Sequence, residues 1–252
     1  MPNSTSHDLT SVIGASLDAH HMVPLLEFVE ATLCPSLYSA STVAEAKLAL
    51  LKQTNMVDYA VEIYQKNGGK GEPSDLTEKR KVVLAKHKEL TMGAKAFADI
   101  VGDSSKKSDL VQSNNWSVAG LKKASGISSE SIEMYRSLAK YQYECGDYEG
   151  SYNMLENYLS LFIAQEKGTG ASDAEYYSNN NNMSANTKNQ PAYGLTNITS
   201  TLHGVLWGKL SCLILMGKWD EAMVALNAVK HSIDVRSGTE RGLSALQSLK
   251  ER

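Results

Sequence analysis

LAKYQYECGDYEGSYNML, from Leu138 to Leu155, carries helical spacing on both sides of a central Gly146-Asp147 pair. Two readings compete for it. Tyr141, Cys145 and Tyr148 could form a chemical site, or Gly146-Asp147 could be the tip of a helical hairpin. Met134, Leu138, Tyr141 and Cys145 fall at i, i+4, i+7 and i+11, one face of a helix, while Ile132, Tyr135, Ala139 and Tyr143 mark a second face. A helix that is apolar on two sides packs against two neighbours. Gly146 can take the left-handed conformation that ends such a helix, and Tyr152, Leu155 and Leu159 begin the return. At a helix C-terminus, beside Glu144 and Asp147, the Cys145 thiol is predicted to be pushed up in pKa and to be a poor nucleophile. The spacing therefore predicts a hairpin.

A second stretch repeats the pattern. In VLWGKLSCLILMGKWDEAMVALNAVKHSID, Val205 to Asp234, Leu206, Leu210 and Leu213 share a helix. Gly217-Lys218-Trp219 makes the turn, and Trp219, Ala222, Met223, Leu226 and Ile233 line the next helix. Gly146-Asp-Tyr and Gly217-Lys-Trp are equivalent turns separated by 71 residues (217 − 146). Between them, Glu166–Thr201 has little core-forming content and an asparagine tract, and reads as a disordered loop insertion. Setting aside its 36 residues leaves 35 (71 − 36), close to the ~34 of a tetratricopeptide repeat. The expected fold is all-α: a right-handed stack of helical hairpins, a solenoid of the tetratricopeptide or HEAT kind, with each hairpin's apolar face buried on its neighbour.

Earlier segments fit the same class. A first helix is expected from Asp8, with Leu9, Ile13 and Leu17 on one stripe, and a second after Pro24. Thr42-Val-Ala-Glu45 has capping-box spacing ahead of AKLALLKQ. Thr54–Gln65 places Met56, Ala60, Ile63 and Tyr64 on one side, and Ser74 is placed to cap a long helix through Leu76, Val83, Leu90 and Phe97. The expected organisation is one helical-repeat domain over 1–252. Its first helical pairs span 8–101, a weakly ordered connection spans 102–126 with Leu110, Val111 and Trp116 as anchors, hairpins span 127–165 and 202–234, and the loop spans 166–201.

Composition narrows the function. The 252 residues are 42% hydrophobic and 21% charged, with a net charge of −3, a balance unlike that of a dedicated nucleic-acid binder. No apolar run reaches the roughly 18–20 residues of a membrane span, and the N-terminus lacks the order of a secretory signal. Three widely spaced cysteines, Cys34, Cys145 and Cys212, favour a reducing compartment over a disulfide framework or zinc site. Dinucleotide-binding, P-loop, zincin and nucleophile-elbow motifs are all missing. Gly68-Gly69-Lys70-Gly71 reads as a loop, and His7, His20 and His21 as solvated or helix-end side chains. No catalytic residue, cofactor or metal ligand is expected, so the chain is expected not to be an enzyme.

What remains is surface. Lys81, Lys88 and Lys95 recur every seven residues, giving the helix from Ser74 a basic side that suits RNA or an acidic partner. With Asn55 and Asp58 in TNMVDY, and Glu78, Lys79 and Arg80 at the start of that helix, these are the candidate partner-binding residues. The tyrosine cluster Tyr141, Tyr143, Tyr148 and Tyr152 reads as interhelix packing before a base-stacking platform.

LTSVIGASLDAHHMVPLLEFVE, KLALLKQTNMVDYAVEIYQ, TEKRKVVLAKHKEL, AKYQYECGDYEG and LWGKLSCLILMGKWDEAM occur in that order, over roughly residues 8–234. Together they closely resemble the N-terminal half of the e-subunit family of eukaryotic translation initiation factor 3. The resemblance implies a helical-repeat arm followed by a PCI module ending in a winged helix, which is not expected within these 252 residues. It also implies a non-enzymatic scaffold that supports small-ribosomal-subunit binding and mRNA recruitment. The implied partners are other initiation factor 3 subunits, notably c and d, the small ribosomal subunit, and the scaffold factor that carries the cap-binding protein, with direct RNA contact left open. A cytoplasmic location with a nuclear pool is expected from the cysteine usage. Alternatives are a member of a COP9 signalosome-like or proteasome-lid-like PCI complex, or a tetratricopeptide-type peptide-binding adaptor.

Overall fold

All regular secondary structure among the described residues is helical. The computed structural model describes residues 17–167 and 198–250, with side-chain surroundings over 17–163 and 198–236. The helices are α1 (Ala19–Leu33), α2 (Ala40–Leu51), α3 (Val57–Lys66), α4 (Ser74–Val101), α5 (Ser104–Gln112), α6 (Val118–Ser125), α7 (Ser129–Glu144), α8 (Tyr148–Lys167), α9 (Ser200–Leu215) and α10 (Trp219–Lys250). The chain is all-α. Leu9 and Ile13 of the stripe expected from Asp8, and most of the 166–201 loop, lie outside the described residues, whereas Leu17 is exposed and Thr199 caps α9 by accepting from the Leu202 amide at 3.2 Å.

The chain divides into two units. The first comprises residues up to Lys88 together with Glu144–Asp147. Its core is Val23, Leu51, Met56, Val57, Ala60, Val61, Ile63 and Leu76, so the expected Met56–Ala60–Ile63 face of α3 is buried. α1 packs on α2 and α2 on α3. Asp18 caps α1, and Pro24 sits inside that helix instead of opening a new one. Proline has no N–H, so at the sixth position of α1 it forgoes the helical bond to the His20 carbonyl. α2 begins before Thr42: Ser39 is its cap, accepting from the Thr42 amide at 3.1 Å.

The second unit comprises Glu89–Tyr143 and Tyr148 onward. Phe97, Leu121, Ala139, Leu161 and Leu213 are fully buried in its core. Phe97 meets Tyr135 edge-on at 4.9 Å between ring centroids, a favoured aromatic geometry. Burial pushes the Tyr135 phenol up to about 12. Both faces predicted for α7 are used: Ile132, Tyr135 and Ala139 are buried on one, and Leu138 is buried on the other with Met134 and Tyr141 packed beside it. Gly146 (φ +89°) and Gly217 (φ +69°) are left-handed, as the two hairpin tips require.

Residues 102–126 hold two short capped helices. Asp103 accepts from the amides of Ser105 and Lys106 to start α5. Ser117 starts α6 by accepting from Gly120, and left-handed Gly126 ends it. Leu110, Trp116 and Leu121 anchor the segment in the core, while Val111 is exposed. The Trp116 indole donates to Ser160 Oγ at 2.9 Å, with Lys107 over its ring.

Candidate interaction surface

In the first unit, the TNMVDY segment is shaped by Thr54. Its buried hydroxyl donates to the Leu51 carbonyl at 2.9 Å and accepts from the Met56 amide at 3.2 Å, turning the chain from α2 into α3. Asn55 is held in place: its amide donates to the Glu144 carbonyl at 3.1 Å, and Nδ2 donates to Glu144 Oε2 at 3.2 Å. Asp58, in the first turn of α3, has a side chain 91% exposed. Arg80 Nη2 stands 2.5 Å from Asp58 Oδ1, and Nη1 stands 2.5 Å from Glu72 Oε1. Hydrogen bonds to Glu72 and then Asp58 hold the guanidinium pKa above its ordinary value.

Lys79 is not a solvated first-turn charge. Its ammonium donates to the Lys52 carbonyl at 2.7 Å, satisfying the C-terminus of α2, where backbone acceptors and the helix dipole favour a cation. Burial lowers its pKa. Lys81 pairs with Glu78 at 2.7 Å and Lys95 with Asp99 at 3.0 Å, and Lys88 is exposed. The lysines share one side of α4, with carboxylates neutralising two of them. Sequence reading missed their apolar company: Val82, Leu84 and Met92 are also exposed on α4. The signal was available, because Leu84 and Met92 lie within the same angular sector as the lysines at 100° per residue.

The hairpin tip is a turn, with Gly146 left-handed at φ +89°. Cys145 is half-buried, and its thiol is pushed up first by burial, then by Glu144 and Asp147. Tyr143 and Tyr148 meet across the tip with ring centroids 5.5 Å apart and planes tilted by 59°, a packing contact. His20 is buried at the start of α1 and its pKa is lowered chiefly by that burial.

In the second unit, α10 differs from its expected pattern. Ala222 is buried with Ala225, Ala228 and Val229, but Trp219, Met223, Leu226 and Ile233 are exposed. Small side chains let α9 approach closely, so the alanine stripe faces inward and the bulky stripe outward. Next to it lies a buried ion pair that nothing in the sequence announced: Lys209 Nζ stands 2.5 Å from Glu156 Oε1, with the Lys209 side chain 3% exposed. His203 Nδ1 lies 2.7 Å from Ser232 Oγ, whose hydroxyl donates to the Val229 carbonyl. The Trp207 indole donates to His203 Nε2 at 3.0 Å. Ser232 therefore accepts from Nδ1–H, and the imidazole is neutral.

These features define an all-helical chain whose distinctive residues form turns, caps and exposed stripes, the makings of an interaction arm. The family model for the eIF3 subunit 6 N terminal domain matches residues 8–142, and the chain belongs to that family. Among its relatives, a Bombyx mori protein named as the E subunit of eukaryotic translation initiation factor 3 is 30% identical over 250 residues, covering 97% of this chain and 48% of the relative. The Arabidopsis thaliana protein of the same name is 29% identical over 233 residues, covering 92% and 44% respectively. The Drosophila ananassae counterpart is 29% identical over 247 residues, covering 97% and 47%. The chain thus spans somewhat under half the length of these curated relatives. No helix among the described residues is long and apolar enough to cross a membrane.

Proposed function

We propose that this chain is the helical arm of a scaffold subunit in the eukaryotic translation initiation factor 3 complex, acting by display and making or breaking no bond. The carrying observation is the family match over residues 8–142, half of the chain, with relatives that share the E-subunit name. In this reading the arm supports small-ribosomal-subunit binding and mRNA recruitment, alongside the c and d subunits and the cap-complex scaffold factor, in the cytoplasm with a nuclear pool. The surface fits such work: Asp58 and Lys88 reach solvent, and Lys81 and Lys95 flank exposed Leu84 and Met92 on α4. An acidic partner surface with apolar contacts matches that face. Asn55, Glu78, Lys79 and Arg80 contribute by fixing the segment that presents it.

The test is a tagged pull-down of the 252-residue chain from a eukaryotic lysate, with bound proteins identified by mass spectrometry. Recovery of initiation-factor subunits with the small ribosomal subunit supports the reading. Recovery of signalosome or proteasome-lid subunits instead, or of short peptide tails alone, refutes it.

A further inference from the structure

The stretch LKKASGI, residues 121–127, holds two buried anchors with exposed residues between them. Leu121 is 0% exposed and Ile127 is 7% exposed, while Lys122, Lys123, Ala124, Ser125 and Gly126 all face water. These residues close α6: Ser125 is its last position, and left-handed Gly126 caps it by donating to the Leu121 carbonyl. The two ends of α6 are held differently. A Cβ at Gly120 would run into the Asn115 backbone, whereas one at Gly126 would meet nothing within 4 Å. With 8 residues, α6 is shorter than the roughly 12–15 that hold a helix without tertiary contacts, and its buried side chain is Leu121. Opening residues 122–126 therefore carries no core side chain into water, and openings of that kind cost little. The neighbouring hydroxyls are committed as caps: Ser117 accepts from the Gly120 amide at 3.0 Å and Ser128 from the Ser131 amide at 3.1 Å.

We propose that Ser125 is a phosphorylation site for a protein kinase that selects cations two and three residues before its serine. Lys123 and Lys122 occupy those positions, and Ala124 between them and the serine is too small to obstruct. Kinases choose substrates by charge pattern, so a peptide cleft lined with carboxylates takes this run once the last turn of α6 opens. The Ser125 oxygen then attacks the γ-phosphorus of ATP. A bond from Oγ to phosphorus forms, the bond from phosphorus to the leaving oxygen of ADP breaks, and the hydroxyl proton goes to the kinase's catalytic aspartate. The product alters the turn itself. Lys122 and Lys123 sit in the last turn of α6, where cations offset the negative end of the helix dipole. A phosphate adds a charge of about −2 at that same end and reverses the balance. Phosphorylation therefore holds the turn open. The site is independent of which complex the arm serves.

The experiment incubates the full 252-residue chain with ATP and the catalytic subunit of cAMP-dependent protein kinase, and maps phosphate by mass spectrometry. The expected product carries phosphate at Ser125. Lys122→Glu/Lys123→Glu, changed at exposed positions, should melt as the parent does and slow phosphorylation of Ser125 by about tenfold or more. A synthetic peptide of residues 118–129 separates charge from access. If neither chain nor peptide is modified at Ser125, or if charge reversal leaves the rate unchanged, the reading of the two lysines is overturned. If the peptide alone is modified, the opening of α6 is overturned and the site with it. Hydrogen exchange tests the product: amides of residues 122–127 should exchange faster after phosphorylation while those of α7 stay as they were. Equal exchange before and after overturns the held-open turn.

Discussion

Replacing Gly146 by alanine should cost clearly more stability than the same change at Gly217, and the excess should be traceable to one side chain. Both glycines are left-handed, at φ +89° and +69°, where an L-residue loses roughly 1–2 kcal/mol. At Gly217 a new Cβ meets nothing within 4 Å, so that loss is the whole cost. At Gly146 the Cβ would stand 2.9 Å from Met56 Sδ and 3.1 Å from its Cγ, and Met56 is only 9% exposed. Overpacking of this kind costs about 1–3 kcal/mol, toward the lower end when the neighbour is an adaptable thioether. Gly146→Ala should therefore lose about 2–4 kcal/mol against about 1–2 for Gly217→Ala. At ~2–4 °C per kcal/mol for a chain of this size, that is an extra fall in melting temperature of several degrees. A double-mutant cycle with Met56→Ala, read by urea unfolding and circular dichroism at 222 nm, should return a coupling of about 1 kcal/mol or more. Zero coupling, or equal losses at the two glycines, would refute the account of the tip as a tightly seated turn.

The buried Lys209–Glu156 pair predicts a non-additive result: Lys209→Met alone strands a carboxylate that is 25% exposed and should lose about 2–4 kcal/mol, whereas Lys209→Met/Glu156→Leu should regain most of it in thermal melts. Acidification should weaken the fold. His203 and His20 have pKa values lowered by burial, so the unfolded chain takes up protons first, and their contribution, complete above about pH 6.5, declines as pH falls below it. His203→Leu should flatten the slope of melting temperature against pH between 7 and 5, and an unchanged slope would remove His203 from the account. Reversing Lys81, Lys88 and Lys95 to glutamate should weaken partner or RNA binding without altering the melt, since the Glu78 and Asp99 pairs are exposed and contribute little. Unchanged binding with an unchanged melt would discard that patch. Phe97→Ala, at a fully buried ring packed on Tyr135, should cost about 3–5 kcal/mol by urea unfolding.

Much of the helical plan was legible because it is written in local periodicity. The two faces of α7, the glycine tips and the buried side of α3 each follow from spacing that a single helix repeats. Losses occurred where the decisive contact is not local. α5 and α6 are too short to repeat a pattern, with one buried anchor each in Leu110 and Leu121, and the adjoining Trp116 is fixed by Ser160, 44 positions away. The start of α2 was misplaced because SAST offers three hydroxyls and only the geometry selects Ser39. The Lys209–Glu156 pair joins residues of α9 and α8 on opposite sides of the 166–201 segment, so no local spacing announces it. Likewise, Lys79 reads as a solvated charge until the carbonyl of Lys52, 27 residues earlier, is seen to accept from it.

The candidate surface was chosen through charge, and much of that charge is engaged within the chain itself. Of the eight residues chosen for their polarity, Asn55 and Lys79 are tied to positions elsewhere in the chain, and Arg80, Lys81 and Lys95 face carboxylates of this same chain. An ion pair within the chain must be broken or shared before a partner can use either member, which lowers the gain from electrostatic docking. Exposed apolar side chains carry no such penalty. Trp219, Met223, Leu226 and Ile233 gain by leaving water, and their exposure costs the isolated arm that same free energy. Periodicity assigned these residues to an apolar line without saying which side of α10 faced inward. The alanines settle it, since a helix that seats Ala222, Ala225 and Ala228 against α9 has no room there for a tryptophan.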